Sequence, residues 1–295
     1  MTAVAQTHPH ESITLPDGRR LVYRVVGDPD GLPLIYNHGG TVSGLDVITA
    51  QASAQALGLK LISPNRPGIG DSSCHDGRTL RDWANDVCHL CDVLGIDQFS
   101  SLGWSMGGQY ALALAAFMPQ RVLRCVVIAG AIELTNDQAM AQLNKPDRDL
   151  THLCQSHPHL AAMVFKGIGV TAKHLPQQAI ELWLDKLSDD DAAVCQSFDP
   201  QFLADCMGEA MQQSHGMVEE YLAWARPWGF DMQDIGCPLD CFAGVTDSLI
   251  DPSWAKAMAK QAPNGSYHEV PEAGHLFALN DAGRRLTLSP FAAGR

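Results

Sequence analysis

The sequence has no apolar run approaching the roughly 18 residues that suggest a membrane span. Its opening, "MTAVAQTHPHESITLPDG", lacks the basic head and apolar core of a secretory signal. Both absences lead us to expect a cytoplasmic protein. Positive charge is scarce as well: 20 lysines and arginines stand against 33 aspartates and glutamates, a formal net charge of −13 at pH 7. Without a basic cluster, such a chain repels a phosphate backbone, so nucleic acid is not an expected partner. The nine cysteines are odd in number and follow no regular framework, which reads as reduced, buried thiols. Cys88 and Cys91 form a C-x-x-C pair, but inside the amphipathic helical pattern "RDWANDVCHLCDVLGI", whereas a redox pair normally opens a helix. Repeats and low-complexity stretches are also missing. With 46% hydrophobic and 18% charged residues, the composition is that of a packed globular chain.

What is present alternates. "ESITLPDGRRLVYRVVGDPDG" reads as a hairpin turning at Pro16–Arg19. "PLIYNHGG" is a short apolar strand running into glycines. A helical pattern over "GLDVITAQASAQALG" follows, then the strand and loop "LKLISPNRPGIGDSS". The helix "LRDWANDVCHLCDVLG", strand "QFSSLGW", helix "QYALALAAFMP" and strand "VLRCVVIAG" continue the alternation. Continuous apolar strands between helices indicate an α/β class with a mostly parallel sheet covered on both faces. From 131 to 235 the spacing becomes helical throughout, as in "QQAIELWLDKL" and "PQFLADCMGEAMQQ". Strand and helix then resume with "CPLDCFAG", "PSWAKAMAKQAP" and "SYHEVPEAGH". The expected organisation is a core made of 1–130 and 236–295, interrupted after the sixth strand by a helical cap, 131–235. The tail "RRLTLSPFAAGR" carries only a weak helical pattern, which predicts a short or altered last helix.

The chemistry centres on "SSLGWSMGGQYALALAAFMPQ". Ser105 lies between a predicted strand and a predicted helix, the setting of a nucleophile elbow. Gly103 and Gly107 lack the Cβ atoms that would clash at so sharp a turn, and the helix start can offer the Met106 N–H to an oxyanion. A serine needs a base, and the base an orienting acid. Among 12 histidines, His275 in "PEAGHLF" follows the last predicted strand at the same sheet edge. Asp247 in "FAGVTDSLIDP" follows a strand too, with Asp251 as the competing acid. "NHGG" can supply a second oxyanion N–H from Gly40, with His38 bracing that loop or facing the pocket.

These residues resemble the α/β-hydrolase superfamily. "NHGG", "RPGIGDS", "GWSMGG", "FAGVTD" and "EAGH" stand in that family's order, each after a predicted strand. The resemblance implies an α/β-hydrolase fold with an eight-stranded sheet whose strand ends carry Ser105, Asp247 and His275, and it favours Asp247 over Asp251. "HGGT" has one glycine fewer than the HGGG loop of one large esterase group, which favours the capped, short-loop group.

Serine rather than aspartate at the elbow sets aside the epoxide hydrolases and haloalkane dehalogenases of this fold, because serine attacks an acyl carbon. The expected activity is hydrolysis of small to medium neutral, apolar esters through an acyl-enzyme, with no metal or organic cofactor. Carbon–carbon bond hydrolase, lactonase, thioesterase, amidase and perhydrolase activities share the triad and stay open, as does a non-catalytic ligand receptor. His152, His157 and His159 read as a solvated loop, since no carboxylate or cysteine completes a ligand pattern. Candidate pocket residues are His38, Trp104, Met163, Trp183, Met207, Met211 and Trp224. Phe165, Met217, Trp228 and Phe230 could join them or pack the cap's core. The oligomeric state is not legible.

Overall fold

The computed structural model describes residues 9–184 and 187–292, except for the side chains of Leu182 and Trp183. Glu11–Thr14 (β1) and Arg20–Gly27 (β2) form the antiparallel hairpin, with Ile13 opposite Leu21. The alternating unit then runs from β3 (Leu32–Asn37) through a 3₁₀ turn (Gly44–Ala50) and α1 (Gln51–Leu57) to β4 (Leu59–Pro64). It continues with α2 (Leu80–Val93), β5 (Phe99–Trp104), α3 (Gly107–Phe117) and β6 (Val122–Ile128). Between β6 and the next strand lie seven described α-helices: α4 (Asp137–Gln142), α5 (Lys145–Ser156), α6 (Pro158–His174), α7 (Pro176–Leu184), α8 (Asp189–Gln196), α9 (Pro200–Ala210) and α10 (Ser214–Trp224). The sheet resumes as β7 (Leu239–Gly244), α11 (Pro252–Gln261) and β8 (Gly265–Val270), and α12 (Asp281–Ala292) follows.

The eight strands form one sheet in the order β1-β2-β4-β3-β5-β6-β7-β8. All pairings from β4 to β8 are parallel; β1–β2 and β2–β4 are antiparallel. The winding direction reverses at β3, which pairs with β4 on one side and β5 on the other. In an open α/β sheet, that reversal opens a crevice beyond the strands' C-terminal ends. Among the described residues, no helix is long and apolar enough to cross a membrane.

The apolar runs become buried because both sheet faces are covered. Helix α3 has nine of its eleven residues buried, as a helix that is apolar all round must be. It is wedged between the sheet and α2, where Trp83 meets Tyr110 edge-on at 5.8 Å. A Thr79–Asp82 capping box starts α2. The last helix is a full 12 residues despite its weak pattern. Gly283, Arg284, Thr287, Leu288 and Phe291 form its buried stripe, and Arg284 donates to Thr49 Oγ1 at 2.6 Å. The stripe was hard to read because two of its five members are an arginine and a threonine.

Two acids from the helical segment bind core arginines. Glu209 of α9 takes both Nη atoms of Arg24 on β2 at 2.8 Å. Glu220 of α10 is fully buried, accepting from Arg66 Nε at 2.7 Å and Arg78 Nη2 at 2.5 Å. Removing the carboxylate would strand two buried cations. Glu220→Ala is therefore expected to cost about 3–5 kcal/mol of stability. A denaturant midpoint within error of wild type would contradict this account of how the helices are held.

Candidate active site

The turn after β5 carries Ser105 at φ 54°, a strained value for a residue with a side chain. Its N–H donates to Ile128 O at 2.8 Å, and its carbonyl accepts from Gly108 N at 2.9 Å. Glycine is required on both sides. A Cβ on Gly103 would run into the Gly107 carbonyl, and one on Gly107 would collide with the Asn37 carbonyl. Asn37 is fixed in turn, accepting from Trp83 Nε1 at 3.0 Å and donating to Leu102 O at 3.0 Å. Thr41 after β3, Ala129 after β6 and Glu272 after β8 also have positive φ, so among the described residues all four such non-glycine residues lie just past C-terminal strand ends.

His275 follows β8 and is buried, 3% exposed. Its Nδ1 lies 2.9 Å from Asp247 Oδ2, in the loop after β7. The aspartate's other oxygen accepts from the Leu249 and Ile250 N–H groups, each at 2.9 Å. A carboxylate with no proton of its own makes Nδ1 the donor, which leaves the lone pair on Nε2. Asp251, the competing acid, instead caps α11 by accepting from Ser253 N at 2.9 Å. Burial alone would lower the His275 pKa, but the charge and hydrogen bond of Asp247, with the charges of Asp191 and Asp147, outweigh it and hold the pKa above the ordinary value.

Ser105 and His275 line one cavity of about 140 Å³ together with Gly40 and Met106. That is roughly the size of an apolar hole that accepts a benzene ring. Neither the Gly40 nor the Met106 N–H finds an acceptor among the described residues. The two residues pack closely: a Cβ on Gly40 would touch the Met106 side chain at 3.1 Å.

Of the pocket candidates, Trp104, Met207 and Trp224 line the cavity. Trp104 donates from Nε1 to Asp46 Oδ2 at 2.8 Å, and its ring lies 5.8 Å from that of His275. His38 is not in the lining. It is fully buried behind the loop that follows β3, with Nδ1 2.9 Å from Gly39 O, and desolvation with the Arg66 charge pushes its pKa well down. Met163 is 70% exposed. Helix α6 buries Ala161, Phe165 and Ala172, and a residue two places after Ala161 falls on the opposite face. Met211 ends α9 and packs beneath Gly169, away from the cavity. The Trp183 side chain lies outside the described residues. Phe165 stacks on Tyr221 at 5.4 Å and Met217 is core, while Trp228 and Phe230 stack on each other and cover Phe117 of α3. His152 on α5, His157 between α5 and α6, and His159 at the start of α6 are all exposed, so the solvated cluster spans two helix ends rather than one loop.

Sequence reasoning missed Ile180, Leu203, Tyr221, Leu249 and Leu279 in the lining, and the acid Asp147 at its edge. Aliphatic residues at helical spacing carry no mark that separates lining from core. Asp147 had one local signal, an "NKPD" helix start in which Asn144 accepts from its N–H at 3.0 Å.

Residues 33–282 match the sequence profile described as alpha/beta hydrolase fold. The chain belongs to that family. Solved structures superpose along nearly the whole length. A bromoperoxidase from Bacillus anthracis gives a TM-score of 0.75 at 16% identity, covering 97% of this chain and 100% of the other. An esterase from Exiguobacterium antarcticum gives 0.72 at 16%, with the same coverages. The enol-lactonase of Burkholderia xenovorans LB400 gives 0.69 at 18%, again 97% and 100%. At these identities the likeness concerns the fold. By sequence, the chain is 32% identical over 151 residues to a homoserine O-succinyltransferase from Herminiimonas arsenicoxydans, a match covering 50% of this chain and 36% of that protein. A second such match, in Janthinobacterium, is 45% identical over 58 residues, 19% of this chain and 15% of that one. The chain thus spans little more than a third, or less, of the curated relatives it matches.

The environment of His275 generates a test of its own. A histidine pKa raised in the folded state stabilises the protein below the unfolded value of about 6.5, and that contribution is lost as pH rises through the folded pKa. Asp247→Asn removes the largest raising influence while burial remains, so the imidazole should titrate below its ordinary value. The stability deficit of this variant should be larger in mild acid than at alkaline pH. NMR titration of the ring and denaturant midpoints across pH check both; a deficit that does not shrink as pH rises contradicts the assignment.

Proposed function

We propose that this protein is a serine hydrolase of small to medium neutral, apolar carboxylic esters. The observation that carries the reading is the His275–Asp247 hydrogen bond, which opens onto the same apolar cavity as the strained Ser105. Ser105 Oγ attacks the acyl carbon while His275 Nε2 takes its proton. Asp247 holds the imidazole in the Nδ1–H tautomer and balances the charge that develops. The tetrahedral oxyanion is received by the Gly40 and Met106 N–H groups. Collapse expels the alcohol, which takes the proton from His275, and water then repeats the sequence on the acyl-enzyme.

The helices between β6 and β7 serve on this reading as the cap, the segment 131–235, over a core of 1–130 and 236–295. Met207, Trp224 and Tyr221 of that segment give the acyl group an apolar wall. Asp147 is the acid of the lining, and no lysine or arginine joins it among the described residues. Such a wall disfavours anionic acyl groups.

A second reading, acyl transfer to an alcohol acceptor, is favoured by the stretches shared with homoserine O-succinyltransferases. The same acyl-enzyme serves both, and the acceptor decides. The acidic, apolar lining weighs against a succinyl donor, whose carboxylate would lie near Asp147. Product analysis with and without an added alcohol separates hydrolysis from transfer.

Ser105→Ala and His275→Ala should each lower turnover of p-nitrophenyl esters by about a thousandfold or more, non-additively and without loss of fold. More than a few per cent residual activity in Ser105→Ala would remove it as nucleophile. Met207→Ala and Trp224→Ala should change kcat/KM across an acyl-chain series more than kcat on the acetate, which barely reaches the cap. An unchanged chain-length profile in both folded variants would mean that the cap does not set specificity.

A further inference from the structure

Helix α8 is short, yet its first turn meets both loops that carry the charged members of the site. Ser188 caps the helix, its Oγ accepting from Asp191 N at 3.2 Å and donating to Asp191 Oδ2 at 3.0 Å. Asp191 is fully buried. Its Oδ2 accepts from the His275 N–H at 2.8 Å and its Oδ1 from the Leu276 N–H at 2.6 Å, a two-pronged grip on consecutive backbone amides 84 and 85 residues away. Neighbouring Gly274 has no room for a Cβ, which would strike the Asp191 carboxylate. The adjacent Asp190 accepts from Thr246 Oγ1 at 2.5 Å, next to Asp247. The two loops are also joined directly, Thr246 N donating to Ala273 O at 3.0 Å.

We propose that the first turn of α8 is a clasp that sets the position of the His275 loop from the helical segment, with Asp191 as its positioning residue. The proposal rests on His275 being the base. Asp191 touches no reacting atom; it acts by holding the backbone from which the imidazole hangs. Charge-assisted bonds to two consecutive backbone amides are strong and directional, and a displacement of about 1 Å at a catalytic group can cost about 100-fold in rate. The same helix lines the cavity with Val194 and Cys195, so the element that grips the histidine also touches what enters the pocket. Besides the hydrogen-bonded Asp247 of the β7 loop, the charges of Asp191 on α8 and Asp147 on α5 act on the ring. All three favour the imidazolium against the effect of burial.

Asp191→Asn keeps the shape but replaces one acceptor by an NH₂ group that faces an N–H donor. The expected result is a folded protein whose His275 ring titrates at lower pH than in the wild type. Its kcat on p-nitrophenyl acetate should fall about 10- to 100-fold with KM little changed. Labelling of Ser105 by a fluorophosphonate should slow in parallel. A role confined to stability would move the melting temperature alone. A folded Asp191→Asn protein with unchanged ring titration and unchanged kcat overturns the clasp. If that variant does not fold, Ser188→Ala, which removes one of the carboxylate's three donors but keeps its charge, should lower kcat and slow the labelling in smaller measure. Absence of any change there overturns it equally. Ser105→Ala run alongside separates the two readings: retained turnover removes the serine mechanism, while the ring titration of Asp191→Asn still decides the clasp.

Discussion

The guanidinium of Arg66 joins three parts of the molecule at one buried point. Its Nη1 and Nη2 donate to the carbonyls of His38 and Gly39 at 2.6 and 2.9 Å, while Nε reaches Glu220 of α10. It also lies over the Tyr110 ring of α3, 4.6 Å from the centroid. The consequence for the site follows from peptide planarity. In a trans peptide the N–H points opposite to the preceding carbonyl, so holding the Gly39 oxygen towards Arg66 turns the Gly40 N–H the other way. The oxyanion donor invoked above thus depends on an arginine in the "RPGIGDS" loop, and that arginine depends on a carboxylate 154 residues later. Taking Glu220 away would unbalance two arginines and loosen the anchor on the His38 and Gly39 carbonyls.

The same logic, acid from the helical segment and donor from the sheet, recurs around the cavity. Glu209 grips Arg24 and also accepts from Asn65 Nδ2 at 2.8 Å; Asp190 and Asp191 grip the loops after β7 and β8. Backbone contact adds to it, since Gly216 of α10 lies so close to the Gly68 carbonyl that no Cβ fits between them. Apolar packing against the sheet would tolerate sliding, whereas a bidentate ion pair or a two-pronged amide grip admits one register. These bonds fix where the helices stand over the strand ends, and a cavity of this size allows little error in that placement.

Much of this was legible in the sequence, for physical reasons that can be named. Strands such as β3 and β6 stand out because burial on both faces demands apolar runs, whereas β8, at the sheet edge and half-exposed, is read from its place in the alternation. The turn at Ser105 stands out because only glycine permits the approaches at Gly103 and Gly107. The family order already favours Asp247 over Asp251, and the structure adds that Asp251 caps α11. The pocket was read less well. Met163, Met207 and Met211 have the same chemistry, and their fates differ by helical phase and by which neighbour covers them. Asp191 was invisible, because nothing local in "LSDDDAAV" distinguishes an N-terminal acid that serves its helix from one whose partners lie 84 residues away.

The strain at the strand ends completes the picture. Thr41, Ser105, Ala129 and Glu272 all adopt backbone conformations that a side chain disfavours, at a cost on the order of 1–3 kcal/mol each. Such residues persist only where surrounding bonds over-determine them. Ser105 is held through the Ile128 carbonyl and Gly108 N–H, and Ala129 through its N–H to Phe242 O at 2.8 Å. A set of strained turns fixed by buried bonds is well suited to chemistry that needs donors and acceptors aimed in advance, and poorly suited to adapting to different substrates. The helical segment has the opposite character where it meets the cavity, with Met207, Leu203, Ile180 and Val194 as its wall. Flexible aliphatic and thioether side chains can repack around different acyl groups at small cost. On the proposed reading, this division assigns the bond-breaking step to the rigid sheet edge and the choice of substrate to the helices, with the Asp191 grip as the point at which the two are mechanically joined.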